Sequence, residues 1–366
     1  MNETPQLECT SVVRISLPAV SENFTRISAA LGPAECGSVI KADAYGLGDV
    51  LVARTLSLAG CRVFFVATFN EAVRIRSALP VDAAIYILNG ISAGLERECH
   101  ELGLKPVINS IDQAVSWAES CKITKRASRA ALQIDTGMAR MGISLVELTE
   151  AQRSGLLSQF KLDLVMSHLA VADEPHHPGN AAQLDAFREA SRYFHGTRRS
   201  LANSAGIFLG RDYHFDLCRA GAALYGMNIS PLMPPLSSAI QLHACVIQVR
   251  TVPAGSYVGY GWTFATSRET RLATVALGYA DGLSRIASNN AALWFGNQRL
   301  PVVGRISMDS LTIDITDAGK QGPGPGDYVE VIGPHQTVEE IAGMSSTINY
   351  EILAGLGPRI SRLYVD

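Results

Sequence analysis

Eight short apolar, β-branched runs separated by longer helical stretches occupy the first two thirds of the chain, and this alternation constrains the fold more than any other feature. The runs are Gly37–Lys41, Val63–Thr68, Ala84–Leu88, Pro106–Asn109, Ala130–Asp135, Leu162–His168, Ser200–Asn203 and Phe215–Arg219. Amphipathic segments such as Asp49–Ala59, Ser110–Ser120 and Ala181–His195 lie between them. Continuous apolar strands joined by helical crossovers predict a parallel sheet covered on both faces. Eight of them in this length point to a (β/α)8 TIM-like barrel, with a doubly wound open sheet as the alternative. From Ala239 the texture changes to alternating β segments: His243–Val252, Arg271–Leu277, Pro301–Val303, Leu311–Ile315 and Tyr328–Ile332. Turn residues separate them, including Asn289-Asn290 and the run from Gly322 to Asp327, which reads as a plain turn and not as a phosphate loop. The expected organisation is an α/β barrel over 1–238 and a mostly antiparallel β domain over 239–366. The first ~10–15 residues are candidates to pack with the second domain.

At 366 residues the chain exceeds what one hydrophobic core usually supports, which agrees with two domains. Lys and Arg number 31 against 34 Asp and Glu, with no basic block, so nothing marks a nucleic-acid or anionic-membrane partner. No apolar run reaches the ~18 residues of a membrane span. Met1–Cys9 lacks a basic, then apolar, secretory pattern. The seven cysteines are scattered without a C-x-x-C pair, which fits neither a disulfide framework nor a zinc site. The expectation is a cytoplasmic, reduced protein. His176-His177 has no third ligand at a suitable spacing, so no metal is expected.

Barrel enzymes place their chemistry where strands end and βα loops begin. Lys41, Asp135 to Arg140, His168, Asn203-Ser204 and Arg219 all fall at such ends. Each alone has a bland reading: a snorkelling lysine, a structural histidine, an ion-paired arginine. Together they describe a site. Ser204 and the small Gly221-Ala222 pair offer a hydroxyl and unhindered N–H groups after the seventh and eighth strands, where barrels often bind phosphate. A phosphate site, a buried lysine and an arginine facing one mouth suit pyridoxal 5'-phosphate.

These residues also carry a resemblance. The segment Val39–Gly48, reading VIKADAYGLG, is similar to the cofactor-lysine signature of the bacterial alanine racemases. The likeness continues through Asp135–Gly142, Ser167-His168, Ala202–Ser204, Leu224–Gly226, Gly259–Gly261, Gly278–Gly282, Gly304–Asp309 and Thr347–Glu351, and so spans nearly the whole chain. It implies an L-/D-alanine racemase working through a Schiff base of pyridoxal 5'-phosphate, built as a homodimer whose active sites borrow residues from the partner's C-terminal domain. Carried over by residue, Lys41 is implied to be the Schiff-base lysine and one catalytic base, and Tyr260 the other, on the opposite face. Arg219 would face the pyridine nitrogen, with His168 against the ring and Asn203 nearby. Tyr45, Ser204, Gly221, Ala222 and Tyr350 would hold the cofactor phosphate. Arg140 and the Met308 N–H would contact the substrate, with Tyr279, Tyr350 and Asp309 at the entrance. D-alanine from such an enzyme is a peptidoglycan precursor.

Three positions depart from the family pattern. Gln133 stands where many relatives carry a carbon dioxide-modified lysine, Ser200 where a histidine often lies near the arginine, and Ala220 where a proline commonly follows it. Gln133 is expected to accept a hydrogen bond from Arg140 without adding charge. Lysine and tyrosine have reference pKa values near 10.4 and 10, so bases of these types acting near neutral pH need about 3–4 kcal/mol of environmental tuning. The competing readings are a broad-specificity or serine-preferring racemase, a barrel-fold decarboxylase, and a non-catalytic cofactor-binding protein. The decarboxylase would favour a carboxylate in place of Arg219, and the carrier would lack the second domain.

Overall fold

A computed structural model describes residues 10–125 and 128–365. The chain divides into two compact units, Pro18–Ser237 and the described part of Met1–Leu17 together with Ser238–Asp366. The first strand, β1 (Val12–Ser16), belongs to the second unit.

The 18–237 unit contains β2 (Glu35–Val39), β3 (Val63–Val66), β4 (Ala84–Ile87), β5 (Lys105–Ile108), β6 (Arg129–Gln133), β7 (Lys161–Met166), β8 (Arg198–Ser200) and β9 (Leu217–Ala220). They form one eight-stranded sheet in the order β8-β7-β6-β5-β4-β3-β2-β9, and every pairing is parallel. The two ends of that order meet: Asp216 N donates to Arg199 O at 3.1 Å and Arg219 N to Ala202 O at 3.0 Å. The sheet is therefore a closed ring, as the eight apolar runs predict. Its interior is packed with Val39, Phe65, Tyr86, Val107, Leu164 and Leu217. The helices begin where short polar side chains can accept the first free N–H groups. Ser110 Oγ accepts from Gln113 N at 3.2 Å, and Thr68 and Ser144 form capping boxes with Glu71 and Glu147. Seven of the strands end one to three residues earlier than the apolar runs, whereas β9 runs one residue past Arg219 and holds it within the strand.

The other unit is a β domain of β1, β10 (Ile240–Val252), β11 (Tyr257–Val258), β12 (Phe264–Ala265), β13 (Thr270–Val275), β14 (Ala292–Phe295), β15 (Gln298–Pro301), β16 (Leu311–Asp314), β17 (Tyr328–Ile332) and β18 (Ser361–Val365). The main sheet runs β15-β14-β17-β10-β1-β18, with β13 and β16 adding beyond β10. Every pair is antiparallel except β1 with β18. β14 and β18 have no counterpart among the segments read from the sequence, and β1 fills the slot between β10 and β18. The Gly322–Asp327 run is a turn, closed by Gly324 N to Asp327 Oδ2 at 2.8 Å and Asp327 N to Gly324 O at 3.0 Å.

Five cysteines are free and buried, whereas Cys245 is disulfide-bonded, which corrects the expectation of a wholly reduced set. Cys9 and the rest of Met1–Cys9 lie outside the described residues. Among the described residues no helix is long and apolar enough to cross a membrane.

Candidate active site

Lys41 does not end a strand. β2 stops at Val39, and Lys41 opens a turn in which Ala42, Asp43, Ala44 and Tyr45 have φ of 53°, 53°, 53° and 60°. Four successive non-glycine residues in left-handed geometry cost on the order of 1–2 kcal/mol each, so the surroundings must hold them. Ala44 N donates to Ile40 O at 3.0 Å, and Leu47 N and Gly48 N both donate to Asp43 O, at 2.8 and 2.9 Å. Asp43 Oδ1 accepts from Asp49 N at 2.9 Å, and Glu71 Oε1 accepts from Ala42 N at 2.8 Å. Asp49 is buried and paired with Arg74. The turn presents the Lys41 amine to a mouth where burial, then Arg140, lower its pKa, Glu71 opposes them, and Arg219 adds to the lowering.

Arg219 lies inside β9 with only 3% of its surface exposed. Its NH1 donates to Ser200 Oγ at 2.6 Å; its NH2 donates to Ser167 O at 2.6 Å, Leu201 O at 3.2 Å and His168 Nδ1 at 3.2 Å. Among the described residues it forms no ion pair with a carboxylate. Burial pulls its pKa down to about 10, so it stays charged at neutral pH. Ser200 fits as a neutral acceptor on one arm of the guanidinium.

Because Nδ1 accepts from Arg219, the imidazole proton of His168 sits on Nε2. Asn203 Nδ2, 3.4 Å from that nitrogen, is also a donor and is better served by Leu169 O at 3.3 Å, while Asn203 Oδ1 accepts from Gly206 N at 2.9 Å. Burial, then Arg219, Arg140 and Lys41, push the His168 pKa down to about 3. Its folded-state pKa is below the usual value near 6.5, so its contribution to stability is present above pH 6.5 and is lost as pH falls toward 3. The wild type should therefore lose stability relative to His168→Gln across that window in urea titrations, and parallel curves would contradict it.

The loops after β8 and β9 form a small cradle. Gly221 N and Ala223 N approach Ser204 Oγ at 2.7 and 3.5 Å, which leaves the Ser204 proton to be donated elsewhere. Ala222 opens a short helical turn, and among the described residues its N–H has no protein acceptor. A Cβ at Gly221 would stand 2.5 Å from the Tyr45 hydroxyl, so only glycine leaves the cradle open. The Tyr45 ring packs on Tyr225 with centroids 5.2 Å apart. A hydroxyl proton, a helical-turn N–H, a nearby lysine of lowered pKa and an arginine without a carboxylate are a donor set that fits pyridoxal 5'-phosphate.

The Asp135–Arg140 loop is organised by Asp135, whose carboxylate accepts from Gly137 N and Met138 N, both at 2.9 Å, and from Ala139 N at 3.0 Å. Burial alone would raise the Asp135 pKa, but these three N–H groups outweigh it and hold it low. Gln133 does not accept a hydrogen bond from Arg140. Its Nε2 donates to Met141 O at 3.2 Å, which fixes the end of the loop and leaves Arg140 exposed. Gln183, absent from the sequence reading, ties this loop to the next. Its Nε2 donates to His168 O at 2.9 Å and reaches Thr136 Oγ1 at 3.4 Å, and its Oε1 accepts from Ala170 N at 2.8 Å. It sits in the helix Pro178–Ser191, where a glutamine looks from sequence like any solvated residue, so no local signal marks it. His177 Nδ1 accepts from Gly179 N at 3.0 Å as that helix's cap.

The remaining candidates lie in the β unit. Tyr260 and Trp262 are 68% and 69% exposed, and Tyr279 and Met308 are also exposed. The Gly304–Asp309 segment gathers them. Gly259 and Gly261 have φ of 70°, and a Cβ on either would press on Arg305. Tyr279 N donates to Ser307 O at 3.1 Å, and Ala280 N to Met308 O at 3.0 Å. Asp309 pairs with Arg359, which also holds the buried Asp281. Tyr350 is half-buried in the helix Asn349–Ala354. Thus Lys41, Tyr45, Arg140, His168, Asn203, Ser204, Arg219, Gly221 and Ala222 belong to the barrel unit, and Tyr260, Tyr279, Met308, Asp309 and Tyr350 to the β unit.

Comparison with known proteins agrees over both units. The alanine racemase N-terminal domain model matches residues 15–229, and the alanine racemase C-terminal domain model matches 239–364. The chain is 46% identical over 354 residues to a catabolic alanine racemase of Agrobacterium fabrum, covering 96% of this chain and 91% of that protein. It is 47% identical over 359 residues to a catabolic alanine racemase of Rhizobium johnstonii, covering 97% and 95%. An alanine racemase from Bartonella henselae, solved with covalently bound pyridoxal phosphate, superposes with a TM-score of 0.94 at 39% identity, covering 98% of this chain and 100% of that one. With both domain models matched in order and relatives aligned from end to end, the chain belongs to the alanine racemase family.

Proposed function

We infer that this protein is a pyridoxal 5'-phosphate-dependent isomerase that interconverts L- and D-alanine. The observation that carries this reading is the Lys41 turn set beside a buried, carboxylate-free Arg219 and the Ser204–Gly221–Ala222 cradle. The bound cofactor supplies an electron sink that acidifies the substrate's α proton. The protein's own residues do the rest. The Lys41 amine, with its pKa lowered by burial and the arginines, holds the cofactor and takes or returns the α proton on one face. Tyr260 does so on the other face. Arg219 keeps its own proton, so against the cofactor's pyridine nitrogen it would donate a hydrogen bond without giving up a proton, which would favour prompt return of the α proton to the same carbon. His168 stays neutral and presents Nε2–H. Arg140 and the Met308 N–H orient the substrate carboxylate, Tyr45, Ser204, Gly221, Ala222 and Tyr350 bind the phosphate, and Tyr279 with Asp309 shapes the entrance.

Racemisation needs two bases on opposite faces, and Lys41 and Tyr260 sit on different units. The reading therefore includes a cytoplasmic homodimer in which the β unit of one subunit completes the site of its partner. The exposed aromatic set of Tyr257, Tyr260 and Trp262 on the β unit supports it, since large apolar groups left open together usually mark an interface. The test is incubation of the purified protein with L-alanine while following optical rotation. D-alanine should accumulate to equal amounts of the two enantiomers, and none formed with cofactor bound refutes the assignment. Serine should turn over weakly and lysine hardly at all; lysine at the same kcat/KM as alanine would move the assignment to a broad-specificity racemase. The catabolic relatives favour a role in alanine use over cell-wall supply, tested by growth of a knockout on D-alanine as carbon source.

Since Gln133 carries no carbamate-forming amine, activity should not change when dissolved carbon dioxide is removed. Gln133→Ala should loosen the Met141 end of the loop and raise KM for alanine, at a cost of about 1 kcal/mol for one neutral hydrogen bond. An unchanged KM would separate Gln133 from substrate binding.

A further inference from the structure

The Glu71 carboxylate joins two of the loops at the barrel mouth. One oxygen accepts from Ala42 N at 2.8 Å, the first N–H after Lys41. The other accepts from Ala67 N at 2.7 Å and Thr68 N at 3.1 Å, in the loop after β3. Both oxygens are used, on three backbone N–H groups, by one half-buried side chain at the start of the helix Phe69–Arg76. Among the described residues no other side chain accepts from Ala42 N at the entry of the left-handed turn; its exit is held by Asp43 Oδ1, which accepts from Asp49 N. We propose that Glu71 is a positioning residue for racemisation, clamping the left-handed turn that carries Lys41 and setting a carboxylate beside the first N–H after that residue.

The inference rests on the assignment of Lys41 given above. The charged and titratable groups facing Lys41 are Arg140 from the loop after β6, Arg219 from β9, His168 from the loop after β7, and Glu71. Burial and the two arginines lower the Lys41 pKa, while Glu71 raises it. Neutralising Glu71 therefore lets Lys41 lose its proton at still lower pH. Shortening it keeps the charge but withdraws the reach that spans two loops. Charge and geometry can thus be varied separately.

In cofactor-free protein, the pH dependence of Lys41 labelling by an amine-directed reagent, read by peptide mass spectrometry, reports its basicity without any turnover. Glu71→Gln should move that midpoint down by about 0.5 pH unit or more, while Glu71→Asp leaves it near the wild-type value. In the loaded enzyme both variants should lose about 10- to 100-fold in kcat with a smaller change in KM, because Lys41 is misplaced and the substrate contacts remain. Thr68→Ala removes the other half of the same helix cap, and should lower the thermal midpoint while leaving the labelling midpoint and kcat at wild-type values. An unmoved labelling midpoint and wild-type kcat in Glu71→Gln overturn the proposal, as does the same loss of kcat in Thr68→Ala, which would reduce Glu71 to a helix cap. Full activity in Lys41→Ala would instead overturn the assignment on which it rests.

Discussion

Lys41→Ala is expected to abolish the near-visible absorbance of the cofactor-linked protein and to lower racemisation by more than about 10⁴-fold, because in the proposed assignment one side chain supplies both the covalent link and one of the two bases. Tyr260→Phe should keep that absorbance and lose about 10²–10⁴-fold in turnover, since a hydroxyl acting on one proton is removed and the ring retained. The β-unit loop that carries Tyr260 does not depend on that hydroxyl: Gly259 and Gly261 shape it against Arg305. Loss of cofactor absorbance in a folded Tyr260→Phe protein would contradict this division. The two inactive variants also test the shared site. When they are mixed and allowed to exchange, half of the dimers are mixed, and each mixed dimer has one site with both lesions and one with neither. About a quarter of wild-type activity should return. No recovery after demonstrated exchange would mean that each site is built within one chain.

The barrel was legible in the sequence because short buried apolar strands such as Val63–Val66 and Ala84–Ile87 recur between helices, several of which start at a recognisable cap such as Thr68, Ser110 or Ser144, whereas β8 (Arg198–Ser200) is itself polar. What was not legible was where each strand stops. Gly37–Lys41 reads as one apolar run ending in a charge, yet the strand ends at Val39, and the next residues wind left-handed. Nothing in Ala42-Asp43-Ala44-Tyr45 signals that hand, since alanine and tyrosine both disfavour it. It is imposed by acceptors from elsewhere, Glu71 above all. Gln183 escaped because its role lies in bonds to two different loops, two of them to the loop before its own helix and one to Thr136, 47 residues away. The β domain was read as mostly antiparallel, which holds, but strands such as β1, β14 and β18 were missed. Five residues such as Val12–Ser16 beside a helix give no period-two pattern long enough to register, and their pairing is parallel and distant.

The Arg219 network predicts the second large effect. Arg219→Lys should lower racemisation about 100-fold and destabilise the barrel by about 2–4 kcal/mol, despite keeping the charge. The guanidinium fork serves four acceptors from two arms: Ser200 Oγ on one, and Ser167 O, Leu201 O and His168 Nδ1 on the other. An ammonium is a single point with three donors, and it cannot reach both arms from the floor of a buried site. At least one carbonyl or the Ser200 hydroxyl then loses its donor, and leaving a buried acceptor unmet costs about 1–3 kcal/mol. That sum is a large share of the 5–15 kcal/mol by which a protein domain is usually stable, so a lower urea midpoint should be plain. His168 provides an internal check. With Nδ1 no longer held by Arg219, its imidazole can turn, and the proton on Nε2 loses its fixed direction. Adding Ser200→Ala should then cost less in the Arg219→Lys variant than in wild type, where it strands one arm of the fork. Strict additivity of the two substitutions in a double-mutant cycle would show that Ser200 and Arg219 act independently, and that the fork is not what holds the guanidinium in place.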